Sequence, residues 1–173
     1  QHSFPTRRSS DLLVDIVSKN GNMLLSVPLR ADGTPDEKEI AIMKEFGAWM
    51  KINSESIVKT RPWKIFGEGP IADADIQINA QGFNDGQYTK AGANEIRFTQ
   101  TEKNLYVSAL EWPENKTINV KSLAEGSTLY PEKIKSVELL GYGKVKFTRT
   151  SDALVVSLPE KLNNIMPVLK IKK

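Results

Sequence analysis

The chain has 173 residues, with 24 lysines and arginines against 21 aspartates and glutamates, a net charge of +3, no cysteine and a single histidine, His2. The lack of cysteine excludes a disulfide framework, a thiolate nucleophile and cysteine metal sites, and once His2 is set aside with the N-terminal stretch no histidine remains for a Ser-His-Asp triad or most zinc sites. Lysines are spread along the predicted elements instead of clustering with aromatics, which argues against a nucleic-acid partner, and no apolar run reaches the roughly 20 residues of a membrane-spanning helix.

The stretch from His2 to Leu12, "HSFPTRRSSDL", has neither a helical nor a strand period. It has no apolar stretch and cleavage site of a secretory signal, and Ser9-Ser10-Asp11 stands where a twin-arginine signal needs apolar residues after Arg7-Arg8. It is similar, without a break, to the translation of a common sequencing-adapter end. Residues 1–12 are therefore read as an assembly artefact that contributes no domain, with the gene segment starting at Leu13. Setting aside Arg7, Arg8 and Asp11 leaves 22 basic and 20 acidic residues, a net of +2, and a segment with no histidine at all.

"LLVDIVSKNG" reads as the end of an amphipathic helix, with Leu13, Val14, Ile16 and Val17 apolar and Gly21 as a left-handed stop. "NMLLSVP" then has the length and composition of a strand buried on both faces. After the loop "LRADG", Thr34 is the expected N-cap, Pro35 the first helical residue and Glu37 the partner in a capping box. Ile40, Met43, Phe46, Gly47 and Met50 recur at helical spacing, which predicts a helix of about four turns. Helix, strand and helix make one and a half α/β units, and a lone parallel strand must find its neighbours elsewhere.

Asp, Asn, Gln, Gly and Ala dominate residues 70–92, the expected connecting segment. Beyond it, seven short runs of period two, "EIRFTQT", "NLYVSALEW", "TINVKSL", "IKSVELLG", "KVKFTRT", "ALVVSLP" and "MPVLKIKK", are separated by turn residues and predict an antiparallel β-sandwich. Ile96 with Phe98, Ile118 with Val120, Val137 with Leu139, and Val145 with Phe147 are the expected core pairs.

The segments "LLVDIVSKNGNMLLSVPLRADGT", "EIAIMKEFGAWMKINSESIVKTRPW", "EIRFTQTEKNLYVSALEWPENKTINVKSL" and "IKSVELLG" resemble the C-terminal part of the α-L-fucosidases, a family of retaining glycoside hydrolases. "SKNGNMLL" and "TRPW" are the most specific of these, and "SVPLRADG" departs from the family's usual Asn-Val/Ile-Gly-Pro form. The resemblance implies an α+β fold class: the last helix-strand-helix of a (β/α)8-like barrel over residues 13–69, then the linker, then an antiparallel β-sandwich over 93–173. Asn22 to Pro28 would be the last barrel strand, Pro35 to Ile52 the last barrel helix, and Arg61-Pro62-Trp63 the exit from the barrel.

The chemistry implied is two-step displacement by an aspartate nucleophile and an acid/base carboxylate acting on fucosylated glycans, with no cofactor. The resemblance places those groups upstream of Leu13, so no catalytic residue is expected in this chain. Active sites of such barrels lie at the carboxyl ends of the strands, which leaves the loop Leu29 to Gly33 as the segment nearest the sugar and Arg30 and Asp32 as candidate substrate contacts. Trp112 is a third candidate, by stacking on a sugar or by closing the sandwich core. Through Trp112, Tyr106 or Tyr142 the sandwich could instead be a non-catalytic carbohydrate-binding module. Asp36, Glu37 and Glu39 read as first-turn helix acids, Trp49 and Trp63 as packing residues, and Asn115-Lys-Thr117 as a glycosylation pattern that arises often by chance. Genomic DNA amplified across the first twelve codons is expected to show a different, open frame running upstream; the same codons in the genome would overturn the artefact reading.

Overall fold

The computed structural model describes residues 6–74, 92–160 and 166–173, with side chains from Ser9 onward. Most of the connecting segment, residues 75–91, lies outside the described residues, as does His2. Two helices, α1 (Thr6–Ser18) and α2 (Glu37–Asn53), precede β1 (Arg61–Glu68), β2 (Ile96–Gln100), β3 (Asn104–Ala109), β4 (Thr117–Val120), β5 (Ser136–Leu139), β6 (Gly143–Lys144), β7 (Phe147–Arg149), β8 (Leu154–Ser157) and β9 (Val168–Lys172).

The helix α1 begins at Thr6, ahead of the expected Leu13 boundary, so residues 6–12 are helical where no structure was expected, and Ser9 and Ser10 are buried. Its end is a Schellman turn. Asn20, not Gly21, takes the left-handed conformation (φ 65°), the Asn20 N–H donates to the Val17 carbonyl at 3.0 Å and the Gly21 N–H to the Ile16 carbonyl at 2.8 Å. Gly21 is needed for space instead: a Cβ there would lie 2.8 Å from Cγ2 of Ile16.

Residues 22–28 depart from the expected buried strand. They run without ladder partners among the described residues, and Leu24 is 98% exposed. With no strand alongside them among the described residues, their backbone groups make no ladder. The N-cap of α2 also differs: Asp36 takes the role expected of Thr34, its Oδ1 accepting from the Lys38 N–H at 2.8 Å and the Glu39 N–H at 3.0 Å. The α2 helix thus starts at Glu37, two residues after Pro35.

Nine strands form two antiparallel sheets among the described residues, one ordered β1-β2-β3-β9-β5-β6 and the other β4-β8-β7. The expected exit Arg61-Pro62-Trp63 belongs to the larger sheet, pairing with β2, so the sandwich starts at Arg61 and not at residue 93. Pro62 is accommodated because β1 is an edge strand, where a missing ladder donor can face outward. Between the sheets lie Ile96, Phe98, Ile118, Val120, Val137 and Leu139, with Val145 and Phe147 packed beside them, as the alternation predicts. Trp63 is buried in the same core, its ring 4.8 Å from Phe98.

The other face of the large sheet is covered by the helices. Val14 of α1 and Trp49 of α2 pack with Tyr106, Leu110, Leu140, Met166 and Val168, and the Trp49 Nε1–H donates to the Met166 carbonyl at 3.1 Å. β2 and β3 are therefore buried on both sides, which is why their alternating residues are nearly all inaccessible.

On β2, Arg97 points from the core toward α1 and is 3% exposed. Its Nε donates to Asp15 Oδ1 at 2.5 Å and its Nη1 to Glu95 Oε2 at 3.0 Å and the Ile96 carbonyl at 2.9 Å. Glu95, 1% exposed, also accepts from the backbone N–H groups of Ile71 and Ala72. Removal of one partner from a buried ionic network leaves uncompensated charge. Arg97→Ala is thus expected to destabilise the chain by about 3–5 kcal/mol in urea unfolding, against below about 1 kcal/mol for the exposed Lys116→Ala control.

Candidate functional site

The loop between residues 22–28 and α2 is a compact turn. Leu29 and Pro35 form an isolated antiparallel bridge, the Arg30 N–H donates to the Thr34 carbonyl at 2.8 Å, and the Gly33 N–H donates to the Arg30 carbonyl at 2.9 Å. Gly33 has φ 82°, the left-handed position that follows the turn in a three-residue hairpin loop.

Asp32 is held within this turn. Its Oδ1 accepts from the Thr34 hydroxyl at 2.7 Å and the Thr34 N–H at 2.9 Å, and these bonds, the hydroxyl first, hold its carboxyl below the usual aspartate range. The carboxylate is ionised and already engaged, which suits it to fixing the loop better than to proton transfer. Asp36 is also lowered, first by the Glu39 N–H, then by the Lys38 N–H, with the Arg30 charge adding to the effect. Arg30 itself forms no salt bridge among the described residues and is exposed, so its guanidinium is a free donor at the turn. The structure thus brings Arg30 and Asp32 onto one turn.

Trp112 lies elsewhere, in the sandwich core, and is 7% exposed. It lines a depression of about 540 Å³ beside Asn94, Glu111 and Asn115, but at this degree of burial it offers little ring surface to a sugar. Tyr106 is 2% exposed and covered by the helices, whereas Tyr142 is 55% exposed at the β5–β6 turn. Asn115 of the glycosylation pattern is exposed, its Oδ1 accepting from the Thr117 N–H at 3.1 Å. Among the described residues, no group of three or more acids, histidines or cysteines converges as a metal site, and no helix is long and apolar enough to cross a membrane.

The Arg97 network was not anticipated from the sequence. Its one available signal is the spacing Glu95-x-Arg97, which puts both charges on the same face of a strand otherwise made for burial.

Two family models match the chain: "Alpha-L-fucosidase" over residues 6–55 and "Alpha-L-fucosidase C-terminal domain" over residues 90–172. Mouse tissue alpha-L-fucosidase is 26% identical over 162 residues, covering 90% of this chain and 29% of that protein. The human tissue enzyme is 27% identical over 161 residues, with 90% and 28% covered. The chain therefore spans less than a third of the length of these relatives. Among solved structures, a Thermotoga maritima alpha-fucosidase superposes with a TM-score of 0.71 at 22% identity, covering 99% of this chain and 35% of that one. A Bacteroides thetaiotaomicron alpha-L-fucosidase gives 0.69 at 17% identity, covering 99% and 33%. A helical layer on a two-sheet sandwich is thus the arrangement that the chain shares with these solved alpha-fucosidases. The chain belongs to the α-L-fucosidase family and corresponds to its C-terminal part.

Tyr106 offers a direct probe of the helix–sheet contact. Burial, then its hydrogen bond to Glu55 Oε2 at 3.0 Å, pushes its pKa up to about 12. Because the folded value lies above the ordinary tyrosine value of 10.0, folding stability falls as pH rises from about 10 to about 12, and is unaffected by this group below that window. Tyr130, buried in the sandwich core, is raised as well, so ultraviolet titration of the folded chain should show a late ionisation that loses one tyrosine's amplitude in Tyr106→Phe; ionisation of all tyrosines near 10 would contradict the packing.

Proposed function

We propose that the chain is the C-terminal part of an enzyme that releases terminal α-L-fucose from glycans by a retaining two-carboxylate mechanism, with the catalytic groups outside this segment. The observation that supports this best is the joint match of helical layer and sandwich to α-L-fucosidases, over nearly the whole chain. In such a reaction one carboxylic acid protonates the leaving oxygen while a carboxylate about 5–5.5 Å away attacks the sugar, forming a covalent intermediate that water then releases. The Bacteroides thetaiotaomicron relative is described as a trapped covalent intermediate, which agrees with this route.

On this reading residues 13–69 supply the last helix-strand-helix of a barrel. The exposed Leu24 and Leu25 are then positions at which neighbouring strands and helices would close. The loop Leu29 to Gly33 stands at the carboxyl end of that strand, where Arg30 donates to sugar hydroxyls and Asp32 holds the turn that presents it. Residues from Arg61 onward form the sandwich that buttresses this layer. Burial of Trp112 and Tyr106 weighs against the alternative of a sandwich that binds sugar through those rings.

The purified chain incubated with an aryl α-L-fucoside is expected to give only background release, because its exposed acids have no opposing wall to hold a sugar. The parent enzyme should turn over with retained anomeric configuration. Turnover that scales with the purified chain would place the catalytic pair within residues 13–173.

A further inference from the structure

At one end of the large sheet, where β1 and β3 begin and β2 and β9 end, a cleft of about 630 Å³ is lined by Lys59, Arg61, Lys103 and Lys173 together with Gln100 and Asn104. Glu102 is the one acidic side chain on its wall. None of the four cations forms a salt bridge among the described residues, whereas the neighbouring Lys170 and Lys172 on β9 are neutralised by Glu55 and Glu138. Positive charge is therefore concentrated in this cleft and cancelled beside it.

The cleft is also partly preset. Arg61 Nη1 donates to the Thr60 carbonyl at 3.0 Å, and the Gln100 amide nitrogen donates to the Pro62 carbonyl at 3.0 Å, which leaves the Gln100 oxygen as an acceptor. Lys59 sits at φ 61°, a conformation that favours glycine, so a long cation occupies a position where a smaller residue would fit at lower conformational cost. The wall carries no aromatic ring on which a nucleobase could stack, and the volume suits one small ligand group. Lys59 follows α2 while the loop Leu29 to Gly33 precedes it, so the length of the helix, about 25 Å for 17 residues, stands between the two along the fold.

We propose that this cleft binds a sulfate ester on the glycan that the enzyme approaches. The identity of the carrier as a glycan rests on the fucosidase reading; the anion site does not. Arg61 supplies the planar fork for the anion, Lys59, Lys103 and Lys173 the surrounding charge, and the Gln100 and Asn104 amides meet adjacent hydroxyls.

The test is binding of the full chain to a sulfated chondroitin tetrasaccharide, its desulfated counterpart, inorganic sulfate and a single-stranded oligodeoxynucleotide of equal charge, measured by calorimetry at low and physiological salt. The sulfated tetrasaccharide is expected to bind at least tenfold more tightly than each of the other three probes and to weaken as salt rises. Arg61→Ala and Lys103→Glu should each reduce that affinity at least tenfold, Lys103→Arg should retain it, and Lys116→Ala, beyond the opposite end of β3, should leave it unchanged. Equal affinity for the desulfated sugar, or no effect of the two cleft variants, would overturn the anion site. Binding of inorganic sulfate or the oligonucleotide as tight as the sulfated sugar would overturn the glycan assignment. No catalytic group is needed, so the outcome is independent of whether the parent hydrolyses fucosides.

Discussion

Arg97 links three parts of the chain that share no sheet. Its guanidinium reaches Asp15 on α1 and Glu95 at the head of β2, and Glu95 in turn gathers the backbone of Ile71 and Ala72 at the start of the connecting segment. A buried ion network of this kind is not necessarily a net source of stability, since desolvation offsets much of its attraction. Its effect is specificity: an apolar residue at position 97 could slide on α1, whereas a fork with two carboxylates at fixed distances cannot. The cation also lies 5.5 Å from the Phe66 ring on β1, and Lys19 of α1 covers the same ring at 4.9 Å, so the edge strand is tied to the same point.

The second organising feature is a sheet that serves two cores at once. Along β3, Leu105, Val107 and Ala109 face the smaller sheet while Tyr106 and Leu110 belong to the helix side. Several polar residues on the helix side are paired individually, although the buried Asn53 Oδ1 has no hydrogen-bond partner. Thr99 donates to the Ser56 carbonyl at 2.6 Å, and Glu55 accepts from both Tyr106 and Lys170. On the opposite side of the sandwich Arg149 plays a comparable part, donating to the carbonyls of Leu123, Ala124, Tyr130 and Glu132 and so binding the long β4–β5 connection to β7. Glu68 caps the short helical turn at residues 121–123 through the N–H groups of Lys121 and Ser122, at 2.7 and 2.9 Å. Both loops are thus held by side chains that reach in from strands, which allows a sandwich with long connections to remain ordered.

For function, the consequence is a division of labour between rigid and open surfaces. The helix–sheet contact is closed, while the extended segment 22–28 and the turn after it are exposed. The turn nevertheless has an internal structure of its own, because Asp32, Thr34 and Gly33 define it without outside help. If Arg30 is the sugar donor proposed above, a turn that is already formed leaves less ordering to be done when a ligand arrives.

Period alone determined much of this protein. The two-residue alternation from Ile96 onward marked the inward residues and most strands, because a pleated strand admits only two faces, but the run "KVKFTRT" divides between β6 and β7 in different sheets. Helical spacing likewise located α2, and the segments around "SKNGNMLL" and "TRPW" carried the family likeness. Sequence alone also brought Arg30 and Asp32 to one loop, since they are two residues apart. What tertiary structure decided were matters of partnership. The choice of Asp36 over Thr34 as cap depended on where the preceding turn consumed Thr34, and the membership of Arg61 to Glu68 in the sandwich depended on a pairing with β2 across the connecting segment. The burial of Trp112 and Tyr106, the Arg97 network and the basic cleft likewise bring together residues far apart in the chain. Local pattern encodes which way a residue points on its own element, but not which surface lies opposite, and that second fact is set only when the elements pack.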